Sequence, residues 1–216
     1  MLSKRLATIA SLVPKDKVVF DVGSDHALLP CYLIEHNIAK KVYAGDNKTG
    51  PLENAKANIK MYGYEDRIET VLSDGLDKAS DDVEVVTISG MGYFTVEKIL
   101  DAKDISRYDC LIIQINKSMA LLRKYISDHH YTILDETVVE DDFYYEVVVF
   151  NTKYHESYSE EEITYGPILL KERSQVFLDY LNFRANQIKK IVTNKVNGNE
   201  SEIKELKMLD KIINGA

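Results

Sequence analysis

The 216-residue sequence predicts an α/β fold: a doubly wound, mostly parallel sheet with a terminal antiparallel strand, followed by a C-terminal antiparallel helical hairpin. Three observations predict it. Short apolar runs rich in β-branched residues alternate with segments of helical periodicity about five times up to residue 128, the pattern of repeated βα units. Two further apolar runs, Tyr131 to Val139 and Tyr144 to Phe150, are separated by the acidic stretch Glu140-Asp141-Asp142, an exposed hairpin turn. Beyond Gly166-Pro167, Leu170, Phe177, Leu181, Ile188, Ile191 and Val192 recur at heptad-like spacing, and Ile203, Leu206, Leu209 and Ile213 follow the helix-breaking Asn197-Gly198-Asn199. These patterns place a sheet domain at residues 1–152, a polar linker around 151–160 and a coiled-coil hairpin at 160–216.

In chain order, Ser3 is a fair N-cap for a helix with Leu6, Ile9, Ala10 and Val13 on one face, ended by Pro14. Val18, Val19 and Phe20 begin the first strand, which closes on Asp21-Val22-Gly23, and Ser24 or Asp25 can cap the helix that runs to about Glu35. Lys41 to Gly45 reads as the second strand, Gly50-Pro51 to Gly63 as the next helix, and Ile68 to Leu72 as the third strand. Asp82 to Ser89, nearly continuous in apolar residues, reads as a central parallel strand. A helix from about Thr95 to Ala102, a strand from Cys110 to Ile115 and a helix near 117–128 complete the alternation.

Composition narrows the class. With 45% hydrophobic residues the chain can bury a sizeable core. No apolar run approaches a membrane span and no secretory signal opens the chain, so a cytoplasmic protein with no membrane partner is expected. Cys31 and Cys110 lack metal-ligand spacing and read as buried free thiols; no metal is expected. Residues 151–216 carry ten basic and ten acidic side chains, so the whole net charge of −8 belongs to residues 1–150. A polyanion would therefore meet a local basic patch: Lys4 with Arg5, Lys40 with Lys41 and Lys48, Lys56 with Lys60, Arg123 with Lys124, or Lys189 with Lys190. Each of these is also readable as a solvated face.

Five polar or glycine positions fall at predicted carboxyl ends of strands, where ligands of such sheets gather: Asp21-x-Gly23, Asp46, Asp74, Gly90-Met91-Gly92 and Asn116. The first turn lacks the three glycines of a dinucleotide fingerprint and is flanked by the carboxylates Asp21 and Asp25, which repel a pyrophosphate and attract an ammonium or sulfonium centre. S-adenosylmethionine carries both cations. The pattern resembles the first cofactor motif of class I methyltransferases, with a tight strand-to-helix connection as the alternative. Asp46, with Asn47, can accept ribose hydroxyls or cap a helix; Asp74-Gly75 can meet an adenine amine or form a simple turn. Tyr93 or Phe94 can stack on a base or pack in the core.

Ser3-Lys4-Arg5-Leu6, Asp21-Val-Gly-Ser-Asp-His-Ala-Leu-Leu-Pro30, Asp74-Gly75-Leu76, Ile88-Ser-Gly-Met-Gly92 and Tyr165-Gly-Pro-Ile-Leu-Leu170 together resemble the bacterial tRNA (adenine-22-N1)-methyltransferase family over nearly the whole chain. The resemblance implies a Rossmann-like, S-adenosylmethionine-dependent domain with a coiled-coil arm that methylates a D-arm adenosine of tRNA, in a monomer or weak homodimer. On this reading Asp21, Gly23, Ser24, His26, Asp46, Asn47, Asp74, Gly75, Gly90 and Met91 hold the cofactor, and His26 has a structural alternative. Asp25 and Asn116 are the catalytic candidates, and Lys4, Arg5 and Tyr93 the substrate contacts. Two positions depart from the family pattern: Tyr93 replaces a glycine, which is expected to narrow the base pocket, and Ile115 stands within Gln114-Ile115-Asn116 where the family has proline or serine. The alternatives are a small-molecule methyltransferase and a non-catalytic relative that binds cofactor or tRNA.

Overall fold

The computed structural model describes residues 2–153, 157–194 and 200–215. It divides into two compact units, Met1–Gly166 and Pro167–Ala216. The first holds α1 (Lys4–Leu12), β1 (Lys17–Val22), α2 (Leu28–Glu35), β2 (Ala39–Asp46), α3 (Thr49–Tyr62), β3 (Ile68–Leu72), β4 (Val85–Met91), α4 (Tyr93–Asp101), β5 (Cys110–Ile115), α5 (Met119–Asp128), β6 (Thr132–Glu140), β7 (Tyr144–Asn151) and α6 (Glu160–Tyr165). The seven strands form one sheet in the order β3-β2-β1-β4-β5-β7-β6. β1 pairs in parallel with both β2 and β4, whereas β7 runs antiparallel to β5 and β6. The order therefore reverses between β1 and β4, and a crevice opens there at the carboxyl ends of the strands.

The sheet is covered on both faces, so its central strands are apolar throughout: Val19, Phe20, Val42, Ala44, Val85, Val86, Ile112 and Ile113 are fully buried. Ser3 caps α1 as its sequence position predicts, its side chain accepting from Leu6 N at 3.3 Å. Gly63 ends α3 in the left-handed conformation (φ +73°), the usual use of glycine after a helix. Burial pushes the thiols of Cys31 and Cys110 up to about 11, so both stay protonated and unreactive.

Several boundaries differ from the sequence reading. β4 runs from Val85 through Met91 rather than from Asp82 to Ser89: its ladder with β5 pairs Ser89 with Gln114 and then Met91 with Ile115, so Gly90 is an inserted bulge and not a turn. α4 accordingly starts at Tyr93 instead of Thr95. Arg123, grouped above with Lys124 as a surface patch, is fully buried; its Nε donates to Glu136 Oε1 at 2.6 Å and its Nη2 to Glu146 Oε2 at 2.7 Å. A third nitrogen, Nη1, donates to Thr164 O at 3.4 Å, so α6 packs on α5 within the first unit, whose boundary falls after Gly166 rather than at 160. α6 itself opens with a capping box between Ser159 and Glu162.

In the second unit the single helix expected from Pro167 is two, α7 (Pro167–Glu172) and α8 (Gln175–Asn194), parted where Arg173 takes φ +50°. α8 packs on α9 (Glu200–Asn214), with Phe177, Leu181, Ala185, Ile188, Leu209 and Ile212 buried. Arg173 Nη1 donates to Ile212 O at 2.6 Å and Arg184 Nε to Glu205 Oε1 at 2.5 Å, a pairing that runs antiparallel. The expected break at Asn197-Gly198-Asn199 and the linker residues Tyr154, His155 and Glu156 lie outside the described residues.

Candidate active site

The site grows out of the turn after β1. Gly23 takes the left-handed φ of +77° that favours glycine, and a Cβ there would press on the terminal methyl of Met91. Gly23 N and Ser24 N both donate to Gly45 O, at 2.8 and 2.9 Å, which fixes the loop to β2. Ser24 and Asp25 do not cap a long helix. Asp25-His26-Ala27 form one 3-10 turn in which His26 (φ +59°) and Ala27 (φ +49°) are left-handed, and α2 starts only at Leu28. Two consecutive left-handed residues interrupt the helical path, which a capping pattern in sequence does not reveal. Asn58 Nδ2 donates to His26 O at 2.9 Å, and the exposed His26 ring lies 3.6 Å from the exposed Asp25 carboxylate.

The acids at the next strand ends are held by their own loops. Asp46 Oδ1 accepts from Lys48 N at 2.9 Å. Ser73 N donates to Asp46 O at 2.9 Å, and Ser73 Oγ donates to Gly75 O at 2.9 Å, so the β3 loop is shaped by a buried serine. Between these loops and α4 lies a cavity of about 380 Å³, within the size range of small-molecule sites. Gly23, Asp46, Asn47, Asp74, Gly75 and Met91, all anticipated from the sequence, line it. Val22, Ser73, Phe94, Thr95, Lys98 and Ile99 line it too and were not anticipated as cofactor contacts. The signal that could have found three of them is the spacing Phe94-x-x-x-Lys98-Ile99 on the first two turns of α4, which puts them toward one side.

The remaining anticipated residues do not line this cavity. Asp21 lies beneath it, 5% exposed, with Thr87 Oγ1 donating to its Oδ1 at 2.7 Å. Burial pushes the Asp21 carboxyl up to about 6, opposed by the hydrogen bond from Thr87. Ser24 is buried in the turn, while Asp25 and His26 face solvent beside it. Tyr93 does not line this cavity: its hydroxyl donates to Glu97 Oε1 at 2.5 Å one turn along α4, and its ring meets Phe94 edge-on. Burial and the Glu97 carboxylate push the Tyr93 phenol well above its ordinary range, so it stays neutral.

Gly90, Asn116 and Arg5 form a second cluster at the ends of β4 and β5. Asn116 N donates to Met91 O at 2.9 Å and Asn116 Nδ2 to Gly90 O at 2.8 Å. Arg5, expected as a surface contact to RNA, reaches inward: Nη1 donates to Gln114 Oε1 at 2.7 Å and the guanidinium lies 5.2 Å from the centre of the Tyr145 ring. Its neighbour Lys4 is exposed. Among the described residues no cluster of three or more His, Cys, Asp or Glu is arranged to hold a metal, and no helix is long and apolar enough to cross a membrane.

This geometry has close counterparts. The tRNA (adenine(22)-N(1))-methyltransferase family profile matches residues 19–215. A tRNA (adenine(22)-N(1))-methyltransferase of Bacillus subtilis is 34% identical over 82% of this chain and 78% of its own. Among solved structures, Streptococcus pneumoniae Sp1610 in complex with S-adenosyl-L-methionine superposes with a TM-score of 0.89 at 29% identity, covering 99% of this chain and all of the other. M. capricolum TrmK in complex with S-adenosyl-homocysteine superposes with a TM-score of 0.80 at 33% identity, over 98% of this chain and 95% of its own. A sheet reversed between β1 and β4, a carboxylate-lined cavity at that reversal and a match spanning both units agree with one another: the chain belongs to the tRNA (adenine(22)-N(1))-methyltransferase family.

Proposed function

We propose that this protein transfers the methyl group of S-adenosylmethionine to N1 of the adenine at position 22 in the D-arm of tRNA. The observation that carries the reading is the cavity lined by Gly23, Asp46, Asp74 and Met91 at the sheet reversal of a chain matched by the family over residues 19–215. The residues suit the cofactor: carboxylates at Asp46 and Asp74 can accept hydroxyl and amine donors of an adenosine, and the bare Gly23 turn leaves backbone room beside a cation. Asp46 with Asn47 is assigned to the ribose, Asp74 with Gly75 to the adenine, and Gly23 with Met91 to the methionine end. Asp21, Ser24, His26 and Gly90 support these residues from behind or beside the cavity. When bound, the cofactor supplies an electrophilic methyl group on a sulfonium.

Adenine N1 carries its own lone pair once the base is unpaired, so the protein needs no strong base. Its task is to hold two reactants in line, a contribution worth up to about 7–11 kcal/mol in favourable systems. Methylation leaves a cationic ring, which the exposed Asp25 carboxylate can stabilise. The exposed Asn116, whose amide nitrogen is bound to Gly90 O, keeps its amide oxygen to accept from the exocyclic amine of the base. Lys4 is assigned to a tRNA phosphate and the Tyr93–Phe94 pair to the apolar lip of the site. The protein is read as a cytoplasmic, metal-free monomer or weak homodimer, to be checked by sedimentation.

The test is methyl incorporation from labelled S-adenosylmethionine into unmodified tRNA. Incorporation recovered as 1-methyladenosine, absent from a tRNA with guanine at position 22 and lost in Asp46→Ala, is the expected result. Cofactor binding without transfer to any tRNA sinks the assignment of substrate.

A further inference from the structure

The bulge at Gly90 leaves a backbone N–H and C=O without ladder partners at the point where β4 enters the site. Both are taken up by side chains from the end of β5. Gly90 N donates to Gln114 Oε1 at 3.0 Å, and Gly90 O accepts from Asn116 Nδ2 at 2.8 Å. Gln114 is fully buried, and its Oε1 also accepts from Arg5 Nη1 at 2.7 Å. Two donors meeting one amide oxygen decide which way the amide faces: a flipped Gln114 would set its NH2 against both. The residue after the bulge is Met91, which lines the cavity and touches the Gly23 turn. α1 is tied to the same edge a second time, because Arg5 N donates to Asp141 Oδ2 in the β6–β7 turn at 3.1 Å.

The geometry points to Arg5 and Gln114 as positioning residues: Arg5 locks the Gln114 amide, Gln114 holds the Gly90 bulge, and the bulge aims Met91 into the cavity where cofactor and base meet. This deepens the function proposed above and rests on it for its kinetic part. It also removes Arg5 from the tRNA-contacting surface. Arg5 at one end and Met91 at the other are joined through two hydrogen bonds and the Gly90–Met91 peptide link, so loss of either polar link relaxes the same strand end. A displacement of about 1 Å at a reacting site costs as much as a hundredfold in rate.

The test uses the full-length protein with 13C-methyl methionine, whose five methyl signals are few enough to assign Met91 by its loss in Met91→Leu. Arg5→Leu and Gln114→Leu are each expected to shift the Met91 methyl resonance and to lower kcat about tenfold to a hundredfold, with KM for tRNA near wild type. The double variant is expected to be no slower than Gln114→Leu, because both act through one path. Gln114→Glu retains an acceptor for Arg5 and Gly90 and is expected to keep the Met91 signal and the turnover. An unmoved Met91 resonance in Arg5→Leu overturns the inference. So does an effect confined to KM for tRNA with a weaker salt dependence, the signature of a phosphate contact. If the wild type methylates no tRNA, the proposed function fails, and the Met91 resonance in Arg5→Leu and Gln114→Leu still decides this inference by itself.

Discussion

Asp21 and Thr87 face each other across β1 and β4, and the acid is buried without a cation beside it. Its ordinary value is 3.8 and burial raises it to about 6, so between those values the folded protein holds a proton that the unfolded chain has released. Stability from this group is therefore full below about pH 4 and lost as pH rises through about 6, a total near 3 kcal/mol. Asp21→Asn keeps an oxygen for Thr87 and removes the titration. Its melting temperature is expected to gain on wild type steadily from pH 4 to pH 7; parallel curves would show that Asp21 is ionised at no such cost. At Gly23 the constraint is steric, since φ +77° and Met91 Cε both disfavour a Cβ. Gly23→Ala is expected to weaken S-adenosylmethionine binding more than tenfold, read by calorimetry, because the left-handed turn is strained by a Cβ and Met91 beside it has to shift. Tyr93→Phe removes only the bond to Glu97; about 1 kcal/mol of stability goes and turnover stays.

At the scale of elements, one buried arginine joins four of them. Arg123 on α5 bonds Glu136 on β6, Glu146 on β7 and Thr164 O at the end of α6. Gly166 closes over this cluster: at φ +94°, a Cβ would lie 2.6 Å from Glu136 Oε2 and 2.9 Å from Arg123 Nη2. Arg123→Leu removes the cation that Glu136 and Glu146 share and is expected to cost about 3–5 kcal/mol, measured by denaturant unfolding. A loss below 1 kcal/mol would show that water reaches the cluster. Ser159→Ala removes the cap of α6, a smaller loss of about 1 kcal/mol. The bulge in β4 works on the same scale, since it shifts the register by one residue and leaves Met91, still paired with Ile115, at the wall of the cavity.

For the whole molecule, every residue lining the cavity belongs to the first unit; the second unit, with nine basic and six acidic side chains, contributes none of them. The −8 net charge of residues 1–150 opposes tRNA, so binding has to come from local cations and from surface that the helical unit adds. A fragment ending at Gly166 is expected to bind S-adenosylmethionine about as well as the full chain and to lose more than tenfold in tRNA affinity, both read by titration at fixed salt. Unchanged tRNA affinity would place the RNA surface entirely on the sheet unit.

How much of this was legible follows from the range of each interaction. Strand number, the parallel sheet, the terminal hairpin and the cavity residues Gly23, Asp46, Asn47, Asp74, Gly75 and Met91 could be read from the sequence, because periodicity and turn residues are local and strand ends in such a sheet must converge. The sequence by itself thus determined the fold, the family and half of the cavity. Only the tertiary structure decided that Asp21 supports the site from below, that Arg5 points inward and that Arg123 is core. It alone placed Gly90 in a bulge and Tyr93 outside the cavity lining. Each of these depends on a partner far along the chain (Thr87, Gln114, Glu136) or on which way a helix faces its neighbours, and a side chain's chemistry shows that it can pair without showing with what.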